Sequence, residues 1–289
     1  MKVSGFTIVR NAVKFDYPIV ESITSILSLC DEFIVSVGDC DDGTLELIQG
    51  INSSKIRIMH SVWDDKLREG GQVLALETSK AFDAVAMDSD WAFYLQGDEV
   101  IHEKYLEAIK EGMERYKNDR EVEGLLFDYA HFYGNYNYLG NSRKWYRREI
   151  RVIRNNKEIR SYKDAQGFRI HNRKLNVKKI EAVVYHYGWV KPPKAQQAKQ
   201  QSFHKMWHDD EWMKKNIGEA EEFDYTKIDS LEEFTGSHPA VMAERVKRCN
   251  WNFNFDAGKI RLSLKDKLLL SIEHSTGWKP GEYRNYKLI

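Results

Sequence analysis

Two carboxylates, Asp98 and Glu99, follow closely on the apolar run WAFYL, with only Gln96-Gly97 between. A second acidic cluster, DCDDGT over residues 39–44, follows EFIVSV, and Arg10-Asn11 follows VSGFTIV. Carboxylates gathered from several loops suit hard divalent cations, which take oxygen ligands and bridge to a diphosphate. They also suit the hydroxyls of a ribose. A nucleotide diphosphate with Mn²⁺ or Mg²⁺ meets both demands, whereas a bare phosphate is poorly served.

For these residues to meet, the segments ahead of them must be strands of one sheet. Residues 3–9, 32–37, 55–60 and 91–96 read as strands. Residues 17–29 carry Ile19, Val20, Ile23, Ile26 and Leu27 at helical spacing, and residues 103–116 carry Leu106, Ile109 and Met113 on one face. Between them, DDGT turns into a short helix, and Gly70-Gly71 breaks the chain before a helix over 72–86. Such alternation predicts a parallel sheet flanked by helices, because parallel neighbours need crossovers. Ligands of such a sheet bind beyond the carboxyl ends of its strands. After residue 120, GLLFDYAHFYG, REIRVIRNN and EAVVYHYGWV follow one another without long helices, which predicts that the sheet becomes mixed. Pro192-Pro193 marks a break, and the remainder is polar, helical and rich in Trp and Lys.

The 289 residues hold 44 basic and 44 acidic side chains, so nothing supports nucleic-acid binding through bulk positive charge. Three cysteines without CxxC spacing give neither a disulfide framework nor a zinc ribbon and point to a reducing compartment. The N-terminal stretch turns polar too soon for a secretory signal, and no apolar run is long enough to span a bilayer. The expectation is a cytoplasmic protein. No GxGxxG follows the first strand, and no GxxxxGK[ST] occurs, so a nucleotide would be held by other means.

The ordered set VSGFTIVRNA, EFIVSVGDCDDGTLELI, WAFYLQGDEVI, RVIRNNKEIRSYKDAQG and VVYHYGWV resembles the family 2 glycosyltransferases of the GT-A fold. The resemblance covers residues 1–190. It implies a nucleotide-sugar half over about 1–100, an acceptor half over about 101–190, and a helical extension over 191–289. LQGDE lies where the family has LDADE, so Gln96 replaces the first acid and is left to bind ribose, while Asp98 matches the metal ligand. Glu99 becomes a further ligand or an acid at a helix start. Arg10 and Asn11 match the polar end of the first strand, and Asp39 is the candidate for base or ribose. Gly70-Gly71-Gln72 stands in the family's ARN loop, with Gln72 facing the nucleotide and Lys66 or Arg68 supplying the missing cation. His186 is implied as a second protein ligand on the metal, and Lys191 as the group that neutralises the leaving diphosphate. The base that deprotonates the acceptor falls on Asp164, with Glu149 and Asp128 as second choices.

The implied activity is an inverting transfer of a sugar from a nucleotide-diphosphate donor to a carbohydrate or lipid-linked hydroxyl acceptor, as in bacterial surface polysaccharide or glycolipid assembly. An inactive sugar- or nucleotide-binding scaffold is the alternative. A nucleotidyltransferase ranks lower, because TIVRNAVKFD lacks a Gly-rich basic loop. Arg147, Arg148, Arg151 and Arg154 read as a solvated strand face or as a seat for an anionic acceptor. The aromatic cluster HFYGNYNYLGNSRKWY reads as core packing or as a sugar platform. KIRLSLKDKLLLSIEH reads as a helix capping the sheet, or else as one lying on a membrane surface.

Overall fold

The computed structural model describes residues 1–67, 70–216, 220–256 and 262–289. Its first part is the expected alternation: β1 (Val3–Val9), α1 (Ile19–Ile26), β2 (Glu32–Val37), α2 (Thr44–Gln49), β3 (Ile56–His60), α3 (Gln72–Asp83) and β4 (Trp91–Tyr94). These strands lie in the order β3-β2-β1-β4, all parallel. Side chains alternate across the sheet with period two. Phe33, Val35 and Val37 join Ile19, Ile23 and Ile26 of α1 in one core, while Phe6, Ile8 and Ile34 join Val73, Ala81 and Phe82 of α3 on the opposite face.

The sheet then becomes mixed. β5 (Glu99–Ile101), α4 (Leu106–Tyr116), β6 (Gly124–Tyr133), β7 (Tyr138–Gly140) and β8 (Arg148–Arg154) follow in the chain. β8 lies antiparallel between β4 and β6. A separate three-stranded sheet holds β9 (Ile159–Tyr162), β10 (Gly167–Ile170) and β11 (Arg173–Lys174). The 14-residue β12 (Asn176–Trp189) runs parallel to β6 and antiparallel to β5. The fold is a mixed α/β architecture with a mainly parallel central sheet flanked by helices.

Beyond Pro192 come α5 (Pro193–Lys205), α6 (Asp210–Asn216), β13 (Leu231–Glu233), α7 (Ala243–Lys247), α8 (Leu264–Thr276) and β14 (Lys287–Leu288). β14 returns to pair with β12. Arg245 of α7 donates to Asp16 at 2.7 Å and to the Tyr17 carbonyl at 2.9 Å, and lies 3.0 Å from Glu21. Among the described residues no helix is long and apolar enough to cross a membrane.

Three expectations change. The four arginines are neither a solvated face nor an open anion seat. Arg151 is fully buried, and Arg154 stacks on Trp91 at 3.8 Å while donating to the carbonyls of Lys117 and Val122. Arg147 is bound by Glu282, and Arg148 by Asp128. α8 does not cap the sheet with an apolar stripe. It buries none of its residues and leaves Leu264 and Leu268 86% and 64% exposed. Lys259–Arg261, the start of that sequence segment, lie outside the described residues. Glu99 starts a strand, not a helix, and its carboxylate is consumed there.

Candidate functional site

The chain turns sharply after β4 because Gln96-Gly97-Asp98 must carry it into β5, which pairs with β12. In that register Glu99 lies opposite His186, and the Tyr187 amide donates to the Asp98 carbonyl at 2.8 Å. Asp98 and His186, 88 positions apart in sequence, are thus held side by side. Glu99 points the other way. Arg151 grips it in a bidentate pair at 2.6 and 2.7 Å, the Tyr129 hydroxyl donates to it at 2.7 Å, and the Gln96 amide at 3.1 Å. A buried carboxylate with this many donors is a structural anchor for the turn.

The protonation pattern of the histidines follows from their partners. His131 Nε2 lies 2.7 Å from the Tyr146 carbonyl oxygen, which can only accept, so this nitrogen carries the proton. In the neutral ring Nδ1 is then an acceptor, and His186 Nδ1, 3.0 Å away, donates to it. His186 Nε2 keeps a lone pair, 3.8 Å from Asp98 Oδ1. Burial, reinforced by His186, pushes His131 well below the usual imidazole range; burial also lowers His186, against the pull of Asp98.

A cavity of about 870 Å³ opens at the carboxyl ends of β1 and β4, roofed by the second half of α5. Arg10, Asn11, Gln96, Asp98, Asp164 and His186 all line it. Asn11 adopts the left-handed region at φ 55°, which asparagine tolerates, and accepts from the Asp41 amide at 3.0 Å. Arg10 is held at 2.7 Å by Asp65 and at 3.1 Å by Asp39. Gln96 Nε2 reaches the carbonyl of Ala165 at 3.4 Å, a residue itself at φ 62°. Asp164 is brought to the cavity by close approach to Gly71: a Cβ added to that glycine, at φ 70°, would lie 2.9 Å from the Asp164 Cβ. Burial raises the Asp164 carboxyl above the usual range, opposed by backbone hydrogen bonds and by Lys163 and Arg151.

Asp39, Gln72 and Lys191 stay off the lining. Asp39 serves Arg10 and the Trp63 amide. Gln72 is exposed at the start of α3. Lys191 is fully buried and donates to the Asp16 carbonyl at 2.8 Å, over the Tyr17 ring; burial, with Lys199 adding to it, drives its ammonium well below the usual range. Lys66 is exposed and off the lining, and Arg68 lies outside the described residues. Of the other candidate bases, Asp128 is bound by Arg148 and Lys179, and Glu149 is buried off the lining.

No family model and no curated protein matches the chain. S. aureus TarS 1–349 in complex with UDP aligns over 70% of this chain and 64% of its own, at 14% identity and a TM-score of 0.39. The same fragment with UDP-GlcNAc aligns over 47% and 36%, at 18% identity and 0.35. The 4-diphosphocytidyl-2C-methyl-D-erythritol synthase of Anaerococcus prevotii aligns over 66% and 89%, at 13% identity and 0.38. The aligned part spans 36–64% of the TarS chains. Similarities of this size carry no functional weight, and the fold stands on the strand order and register above.

The residue that the sequence gave no reason to single out is Lys199 of α5. Its Nζ lies 3.0 Å from Asp98 Oδ2 and 2.9 Å from the Gly188 carbonyl. Burial alone would raise the Asp98 carboxyl; the Lys199 ammonium outweighs it and holds Asp98 well below the usual range. His204 Nδ1 and Trp63 Nε1, both on residues lining the cavity, are buried polar atoms without a hydrogen-bond partner among the described residues. The donor set expected to hold Mn²⁺ or Mg²⁺ does not fit a divalent cation as it stands. Among the described residues no group of three or more His, Cys, Asp or Glu side chains is placed to hold one. Asp98 and His186 supply two donors, and Asp98 is already neutralised by an ammonium.

Proposed function

We propose that this chain is an inverting glycosyltransferase, moving a sugar from a nucleotide-diphosphate donor to a hydroxyl acceptor. The observation that carries the proposal is the convergence of Asp98 and Asp164 on one cavity of about 870 Å³ at the strand ends, a size that suits a nucleotide sugar. In this reading the nucleoside sits against Asn11, Trp63 and Gln96, and the unpartnered Trp63 and His204 nitrogens bind donor oxygens. The acceptor hydroxyl oxygen attacks the anomeric carbon while its proton passes to Asp164. The bond from that carbon to the diphosphate breaks, and its electron pair leaves with the diphosphate. Burial of Asp164 favours this, because a carboxylate of raised basicity is the better proton acceptor. Transfer to a carbohydrate or lipid-linked acceptor in bacterial surface polysaccharide or glycolipid assembly, in the cytoplasm, completes the proposal. The exposed Leu264 and Leu268 offer a contact to a membrane surface.

The test is thermal unfolding against UDP-, GDP-, CMP- and dTDP-sugars, since a ligand of the native state raises the midpoint by mass action. One nucleotide class is expected to shift wild type and to fail with Asp98→Ala. Asp164→Asn is expected to keep the shift and lose turnover. A shift with no nucleotide sugar refutes the donor site, and a shift without turnover for any acceptor favours the scaffold.

A further inference from the structure

We propose that the diphosphate in this cavity is held by the Lys199 ammonium and not by a divalent cation, so that donor binding is metal-independent. This rests on the donor-site reading and names the cation of that site.

The ammonium sits within the donor set that a metal would need. The side chain is 13% exposed, its Nζ is 3.0 Å from Asp98 Oδ2 and 2.9 Å from the Gly188 carbonyl, and the Tyr17 ring lies 5.1 Å away. An ammonium has three protons, and these partners take two. The third is left for an acceptor in the cavity that Lys199 lines. Diphosphate oxygens are such acceptors, and a charge-assisted hydrogen bond to one is of the stronger kind.

The surroundings leave little room for another arrangement. A Cβ on Gly188 would lie 2.6 Å from His186 Nε2 and 2.7 Å from Asp98 Oδ2, so only a glycine leaves both groups their places. The lone pair assigned to His186 Nε2 and the Asp98 carboxylate face each other at 3.8 Å, an arrangement that calls for a neighbouring cation. Lys199 supplies it. The other acid of the turn, Glu99, is committed to Arg151 and Tyr129, and Gln96 carries no charge. The ammonium's charge, 3.0 Å from Asp98 Oδ2, opposes a dication at the same carboxylate. Asp98 then serves to station Lys199 at the strand ends.

The experiment is calorimetric titration of UDP, GDP, CDP and dTDP into the whole chain, in EDTA and in excess Mn²⁺, repeated with Lys199→Met. One nucleoside diphosphate is expected to bind with a Kd that agrees within about twofold between EDTA and Mn²⁺, and to bind about tenfold more weakly, or worse, to Lys199→Met. Binding that appears only with Mn²⁺ leaves the donor site standing and overturns this inference alone. Unchanged binding to a folded Lys199→Met overturns it too. No binding under either condition overturns the donor site and the inference together. Should Lys199→Met not fold, the comparison of wild type in EDTA and Mn²⁺ decides the question.

Discussion

Glu149 offers the sharpest check on the electrostatics of this fold. It lies on β8, 2% exposed, with Oε2 lacking a hydrogen-bond partner among the described residues. Burial pushes its carboxyl up to about 8; Arg151 and the Asn285 amide oppose the rise, and Glu99 and Asp164 add to it. In the unfolded chain the group titrates near ~4.3. Below that pH both states hold the proton, and Glu149 has no effect on the balance. As pH rises, the unfolded chain releases its proton while the folded chain retains it, so stability falls until the folded carboxyl also ionises near 8. At about 1.36 kcal/mol per unit, the interval from ~4.3 to ~7 amounts to about 3.5 kcal/mol. Glu149→Gln mimics the protonated acid and cannot release a proton. Urea unfolding over a pH series is expected to show the variant gaining about 3 kcal/mol on wild type between pH ~4.5 and ~7. A fixed cost of burying the amide shifts that difference without altering its slope. A difference that stays flat, or grows toward acid, refutes the reasoning.

Arg151→Met strands the Glu99 carboxylate and is expected to cost about 3–5 kcal/mol in denaturant unfolding, with Glu99→Gln in the same chain recovering part of the loss. Full stability in the single variant would contradict the bidentate pair. Gly188→Ala, whose Cβ would press on His186 and Asp98, is expected to abolish nucleotide binding in calorimetry while the circular dichroism spectrum stays that of wild type; retained affinity would place the ligand elsewhere. His131, proton-bearing at Nε2 and held well below the usual imidazole range by burial, is expected to show a neutral imidazole by nitrogen NMR where a solvated ring is already protonated. A titration near ~6.5 would show the ring to be solvated. Leu264→Glu with Leu268→Glu is expected to weaken sedimentation with anionic lipid vesicles without changing the melting temperature. Equal sedimentation of variant and wild type would remove α8 as the contact.

The parallel half of the fold was legible because its strands are short, largely apolar segments with polar ends, alternating with helix-spaced ones: β1 falls on the residues its pattern marks, and α3 starts at Gln72 behind its glycine pair. β5 was hidden. Three residues beginning with an acid look like the start of a helix, and only pairing with β12 makes them a strand. The cavity residues Arg10, Asn11, Gln96 and Asp98 were readable as strand-end groups. Lys199 was not, because AQQAKQQSF is polar all round and its period does not tell which lysine faces an acid 101 positions earlier. The arginines of β8 were misread for a related reason. Charge is ordinarily solvated, and the partners that justify burying Arg151 and Arg154 lie on other elements.

The tie between Arg245 and Asp16 bridges 229 positions of sequence, and it fastens the loop that brings Phe15 and Tyr17 to the cavity wall. Contacts so distant carry a heavy closure entropy and form after the local ones. The β1–β4 frame draws only on residues 3–94, but the wall of the cavity waits for α7. During synthesis the strand ends therefore stand open to solvent and to other chains until α7 has emerged, and ligand binding comes later than the β1–β4 frame.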